Sequence, residues 1–291
     1  MRTDGTAWAV NWIAGGWLIM IHIGALAAPF FFTWEGVVLA VFFHWLSGSI
    51  GICLGFHRLL THASFRTYAP IKYAVAAIGA LAGEGPATSW VAHHRQHHAL
   101  SDQEGDPHSP LDGKWWSHML WLGWTRNNKE HQEYMKRWAP DLMRDKMLRF
   151  IDAMFLPLHF ALGISLAVAG YFYGSYMYGA EQAVFVASSF VVWGMFVRLV
   201  AILHTTWFVN SASHIWGYRN YETTDKSTNC WWVGLIAYGE GWHNNHHAYP
   251  RMANHGHKWW EIDMTFSAIR LLKMCGLAWD IVDYKRRNEA E

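Results

Sequence analysis

The stretch "VVLAVFFHWLSGSIGICLGFHRLLTH", residues 37–62, begins as an apolar run and closes on two histidines five apart. Val37 to Phe56 is long enough to cross a bilayer as a helix, which takes about 20 residues. His57 and His62 follow directly where that run stops. This reads as a membrane helix that delivers imidazoles to one side of the bilayer.

Three more segments have the same character: Ala9 to Phe31, Phe155 to Tyr173 and Ala183 to Leu203. A fifth run, Tyr73 to Ala82, is too short to span and meets Glu84, Gly85 and Pro86, so it reads as a re-entrant or interfacial helix. The composition agrees, with 52% hydrophobic residues, 20 Trp and only 15% charged residues. A net charge of +1 leaves no basic stripe to neutralise phosphates, which excludes a nucleic-acid partner. Cys53, Cys230 and Cys275 are scattered and suit neither a disulfide framework nor a thiolate metal site. The start of the sequence lacks the pattern of a cleavable signal.

Charge sets the expected orientation. Of 23 Lys and Arg, Arg2 precedes the first span, 12 lie between the second and third, 9 follow the fourth, and Arg198 sits inside the fourth. The two short connections, 32–36 and 174–182, hold none. By the positive-inside rule both termini and both long polar segments are cytoplasmic. The expected fold is an all-α membrane protein, a single domain over 1–291. Four transmembrane helices form two hairpins beneath a cytoplasmic helical cap of residues 57–150 and 205–291. Arg198 lies five residues from its span end and is expected to snorkel to the interface.

The histidines concentrate in that cap. "HRLLTH" supplies His57 and His62, "HHRQHH" supplies His93, His94, His97 and His98, and "HNNHH" supplies His243, His246 and His247. "NSASH" sets Asn210 and His214 four apart just after the fourth span. On a helix, positions i, i+3 and i+4 share a face, so His94/His97/His98 and His243/His246/His247 each aim three imidazoles at one place. Helical geometry alone equally allows His93/His94/His97. The 0, 3, 4 spacing of the third box, by analogy, selects His94/His97/His98 and leaves His93 aside. Imidazole without thiolate suits iron, zinc, copper or nickel. No HExxH is present, which argues against a zinc protease. Eight or nine neutral ligands suit two ions with a position left open.

His22, His44 and His159 stand alone inside spans and read as hydrogen-bonded structural groups. His108, His118, His131, His204, His255 and His257 have no repeated spacing and read as supporting or surface residues. A ligating histidine hands its other N–H to an acceptor, for which Asp102, Glu104, Asp106, Asp225 and Glu240 are nearest in sequence. Trp90, Trp231, Trp232 and Trp242 lie near the boxes and are candidates to line an apolar tunnel.

With "GFHRLLTH", "SDQEGDPHSP", "NSASHIWG" and "GEGWHNNHHAYP" in order, nearly the whole chain resembles the integral-membrane fatty acid desaturases, in particular the stearoyl-CoA and acyl-lipid Δ9 branch. The resemblance implies two irons held by His57, His62, His94, His97, His98, His214, His243, His246 and His247, with Asn210 reaching one iron through water. It also implies an O₂-dependent enzyme that puts a cis double bond, at Δ9, into a saturated acyl chain carried on lipid or CoA. Ala63 departs from the basic residue that often follows the first box, which touches a carrier contact and leaves the metal set intact. No GxGxxG, CxxCH or four-Cys set supplies electrons. The implied donor is therefore a separate ferredoxin or cytochrome b-type protein. A hydroxylase on the same scaffold is the alternative the boxes leave open, and a histidine-rich metal transporter is a remote one. "GEGWHNNHH" looks closer to acyl-lipid than to acyl-CoA enzymes.

Overall fold

The computed structural model describes residues 9–283, and the termini assigned to the cytoplasm above lie outside that range. Among the described residues, three helices are long and apolar enough to cross a membrane: α2 (Trp34–Thr61), α9 (Phe155–Tyr178) and α10 (Ala180–His214). The first expected span, Ala9 to Phe31, forms a shorter helix, α1 (Trp12–Ala25), and a separate turn at Ala28–Phe31. Two local features break it. Asn11 caps the start by accepting from Ala14 N, and Pro29 opens the turn. Ala9–Val10 is strand β1, paired antiparallel with a later strand at Trp124–Thr125.

All three long helices outrun the expected spans, the third running on from Tyr173 through Tyr178. The second continues from Phe56 through Thr61, and the fourth from Leu203 through His214. Hydropathy marks where a helix meets lipid, whereas the backbone ladder goes on until a breaker stops it. In consequence His57, Asn210 and His214 sit on rigid helix rather than in loops.

Between α2 and α9 come β2 (Arg66–Thr67), α3 (Ala69–Ala80), α4 (Ala87–Leu100), α5 (Lys114–His118), β3 (Trp124–Thr125), α6 (Asn128–Trp138), α7 (Pro140–Arg144) and α8 (Lys146–Ala153). After α10 come α11 (Trp231–Ile236), α12 (His243–Ala248), α13 (Met264–Met274) and β4 (Ala278–Trp279), which pairs with β2. The short run read as re-entrant or interfacial is α3, and it lies directly on α2. A Cβ at Gly51 would fall 2.6 Å from Gly79 Cα, so the two backbones meet glycine to glycine. Gly170 does the same for the α9–α10 pair, where a Cβ would lie 2.7 Å from Ala187 Cα. Phe56, Ala76, Val91, Leu148 and Ile151 form a buried core joining α2, α3, α4 and α8.

Arg198 does not snorkel. It is 1% exposed, its Nε donates to Gly194 O at 3.1 Å, and its Nη1 donates to Leu81 O at the end of α3. The last carbonyls of a helix have no intrahelical donor, and a cation there also meets the negative end of the helix dipole. That partner is more than a hundred residues away in sequence, so nothing local to Arg198 announces it.

Candidate metal centre

Four elements converge on one place. At the end of α2 the backbone winds as a π-helix over Leu46–Thr61, continued by a hydrogen bond from His62 N to His57 O. In an α-helix residues five apart stand about 140° apart, whereas i→i+5 winding returns them to one face. That is how HRLLTH brings two imidazoles together, with ring centroids 4.9 Å apart. The helix α4 presents His94, His97 and His98, the end of α10 presents His214, and α12 presents His243, His246 and His247. His93 turns away to Trp121 and Tyr134, at 5.4 and 5.2 Å.

The nine histidines fall into two groups. His57, His62, His94, His98 and His246 bring ring nitrogens within 4.8 Å of one another, and so do His97, His214, His243 and His247. The groups adjoin: the rings of His98 and His247 stack at 4.6 Å. In the first group Nε2 atoms face one another, His57 to His246 at 3.0 Å, His246 to His98 at 2.9 Å and His98 to His94 at 3.1 Å. In the second, His214 and His243 Nε2 atoms lie 3.1 Å apart.

Carboxylates decide which nitrogen faces inward. His97 Nδ1 meets Asp106 at 3.0 Å, His214 Nδ1 meets Asp102 at 2.9 Å, His247 Nδ1 meets Asp225 at 2.6 Å and His57 Nδ1 meets Glu240 at 2.7 Å. Four of the five acids singled out in the sequence thus stand behind a box histidine, and Glu104 is exposed. With Nδ1–H donated to a carboxylate, Nε2 of a neutral ring carries a lone pair. His97 Nε2 and His247 Nε2 are buried and have no hydrogen-bond partner in the protein. Burying such groups unsatisfied is costly, and a cation at their meeting point removes that cost. The residues therefore fit metal ions, one at each group.

The titration behaviour agrees. Burial, with repulsion from neighbouring imidazoles, pushes His94, His98, His243 and His246 well below the usual range, so these rings are neutral as ligands must be. Burial works to raise Asp102, but the hydrogen bond from His214 and its charge overcome it and hold the carboxyl at about 2. Asp106 and Asp225 are held low against burial by His97 and His247 in the same way. Burial works to lower His97, but the charge and hydrogen bond of Asp106, with the charges of Asp102 and Asp225, move it upward.

Several residues that spacing could not single out hold the frame. Arg58, inside the first box, is 0% exposed and donates to Glu240, Asp263 and Ala253 O. It thereby ties α2 to the third box and to the start of α13, which Asp263 caps. Asn244 and Asn245 of HNNHH face outward as brackets. Asn244 Oδ1 accepts from Asn220 N and Tyr221 N, and Asn245 Nδ2 donates to His255 O and Glu261. His255 joins His57 on Glu240, at 3.0 Å. Charge next to the box histidine was the available signal for Arg58. No spacing rule points to the asparagines.

A narrow cavity of about 40 Å³ lies beside His57, His94 and His243 and is lined further by Gly48, Ile52, Ile202, Thr206, Val209 and Asn210. Trp90 lines it and stacks on His94 at 4.9 Å, held by its Nε1–H on Glu84 at 2.8 Å. Thr206 donates to the same carboxylate at 2.6 Å. Burial raises Glu84 to about 7, with both donors pulling the other way. The other three tryptophans do not line this cavity. Trp242 is buried with its N–H on Ile262 O, Trp232 packs on Phe208, and Trp231 is 64% exposed. His44, from inside a span, does line it and bonds Tyr238 OH at 2.6 Å. His22 and His159 bond backbone carbonyls of their own helices, Leu18 O and Phe155 O. His118 and His204 bond each other at 2.9 Å, His108 packs on His97, and His257 meets Tyr221.

Residues 29–270 match the family described as Fatty acid desaturase. The chain is 45% identical over 279 residues to a protein of Nostoc sp. (strain 36) named sn-2 palmitoyl-lipid 9-desaturase, covering 96% of this chain and 92% of that one. It is 42% identical to an sn-1 stearoyl-lipid 9-desaturase of Anabaena variabilis over 94% of each. A Synechocystis sp. protein of the same name is also 42% identical, over 90% of this chain and 77% of its own length.

Proposed function

The chain belongs to the fatty acid desaturase family, and on that premise we propose that it places a cis Δ9 double bond in a saturated acyl chain esterified to a membrane lipid. The observation that carries the reading is the pair of adjoining histidine groups, backed by Glu240, Asp102, Asp106 and Asp225, beside a mostly apolar cavity. His57, His62, His94, His98 and His246 would hold one iron, and His97, His214, His243 and His247 the other, with Asn210 reaching the centre through a water. The irons supply the activation of O₂ that opening an unactivated C–H bond requires. The chain's own part is to keep the imidazoles neutral and aimed, to bury the acyl chain away from water, and to hold Trp90 flat against His94.

The acyl-lipid carrier is favoured over CoA because the relatives described above are named for lipid-bound substrates. Two electrons per double bond come from a separate ferredoxin or cytochrome b-type protein. In the bilayer, α1 with its following turn leads into α2 as a first hairpin in chain order, with α1 packed on α10, and α9 with α10 forms a second, so that the site and both termini face the cytoplasm. Cysteines placed at Gly179 and Gly113 test this orientation: an impermeant label outside intact cells modifies the first and spares the second.

Expression in a host lacking its own desaturase tests the function. Mass spectrometry of the lipids should find a new cis bond at carbon 9 in glycerolipid chains, and purified protein should carry about two irons. A hydroxylated product, or full activity with one zinc per chain, would refute the reading. Activity and metal must be measured on one sample, since imidazole sites bind zinc more tightly than ferrous iron.

A further inference from the structure

The segment 216–228 leaves the end of α10 just after His214 and backs the four-histidine group. Lys226 N donates at 2.8 Å to Asp102 Oδ2, the oxygen that takes His214 Nδ1. Its neighbour Asp225 takes His247 Nδ1. The same segment is exposed: Trp216, Arg219 and Lys226 are open to solvent. Two cations from elsewhere lie over its rings, Lys114 Nζ at 6.0 Å from Trp216 and Lys258 Nζ at 5.1 Å from Tyr218. Glu222 is the exposed acid of the segment. Four cations and two aromatic rings thus gather where the surface is two hydrogen bonds, Lys226 N to Asp102 to His214 Nδ1, from the four-histidine group.

We propose that this surface docks a separate, acidic one-electron carrier protein and that electrons enter at the four-histidine group through Asp102 and His214. The inference rests on the metal reading above. Arg219 and Lys226 match an acidic protein, and complementary charge steers such encounters. The segment lies past the end of α10, beyond its apolar stretch, which favours a soluble partner over a lipid headgroup. The basic stretch of α6 is interleaved with Glu130 and Glu133 and does not supply a comparable patch. Each docking oxidises the carrier by one electron and reduces the centre by one. Two dockings balance the reaction, CH₂–CH₂ + O₂ + 2e⁻ + 2H⁺ giving CH=CH + 2H₂O.

The test uses the iron-loaded full chain in detergent with a [2Fe–2S] ferredoxin of net negative charge. Binding is followed by interferometry over a salt series, and anaerobic oxidation of reduced ferredoxin by stopped flow. The expected result for the double variant Arg219→Glu/Lys226→Glu is a Kd at least tenfold higher and ferredoxin oxidation at least tenfold slower, with iron content and reduction by dithionite as in the parent. Lys129→Glu on α6 should change neither. Unchanged Kd in the double variant, or an equal loss in Lys129→Glu, would overturn the proposal. So would loss of binding to phosphatidylglycerol vesicles with ferredoxin binding intact, which would assign the patch to lipid headgroups. A parent that binds ferredoxin yet accepts no electron from dithionite would instead overturn the metal reading.

Discussion

The five-histidine and four-histidine groups use the same side chain and differ in what stands behind it. Three of the four imidazoles in the smaller group rest on carboxylates, Asp102, Asp106 and Asp225. In the larger group Glu240 backs His57, and that carboxylate is shared with Arg58 and His255. One position therefore has three carboxylates in its outer layer, and the other a single carboxylate that His57 shares with Arg58 and His255. Carboxylates behind histidine raise the basicity of the ligating nitrogen. Ligand identity alone does not make the two positions equal: the four-histidine position should bind its metal more tightly and release it later.

The largest effect expected from breaking this contrast is on the larger group. His94→Ala removes an imidazole that faces His98 Nε2 at 3.1 Å. Desaturation should be abolished and bound iron should fall from about two to about one per chain, as read by elemental analysis. Retention of two irons would show that His94 is no ligand.

Glu240→Gln and Asp225→Asn then separate the groups. Losing the Glu240 charge removes one of the two carboxylates that buried Arg58 holds, with Asp263 keeping the guanidinium at 2.9 Å. Weakening a buried charge-assisted hydrogen bond costs about 1.5–3 kcal/mol, so the thermal midpoint of the metal-free protein should drop. Asp225→Asn touches no buried guanidinium. It should keep the fold and weaken metal binding at the four-histidine position by about 10- to 100-fold, measured by competition with a chelator. Equal stability losses in the two variants would erase the distinction.

The smallest effect belongs to His93→Ala. Burial, with repulsion from Arg126, lowers this ring to about 3, so it is neutral, and it packs against Tyr134 and Trp121 away from both groups. Iron should stay near two per chain with a substantial part of the activity kept. A loss of metal equal to that of His94→Ala would mean that the box binds in its other register.

The sequence could show the second and third boxes because a 0, 3, 4 spacing keeps its meaning on any α-helix. The first box was different. HRLLTH makes one face through π winding, which α-helical spacing does not describe. An acid near a box was legible as its partner at Asp106, nine residues from His97, whereas Asp102 backs His214 from 112 residues away, and Asn244 and Asn245 act on loops that only the folded chain brings near. Arg198 was misread for a related reason: its acceptor is the end of α3. Apolar runs located three long helices but not their ends, since His57 and His214 continue the ladder past the apolar stretch.

The central claim is that two metals lie in two separate histidine groups. Anomalous X-ray diffraction at the iron edge, from crystals of iron-loaded protein, tests it most directly. Two peaks are expected. One should lie within about 2.0–2.3 Å, the usual range of metal–imidazole bonds, of ring nitrogens of His57, His62, His94, His98 and His246. The other should lie at the same range from His97, His214, His243 and His247. A single peak, or one bonded to His93 in place of His98, would contradict it.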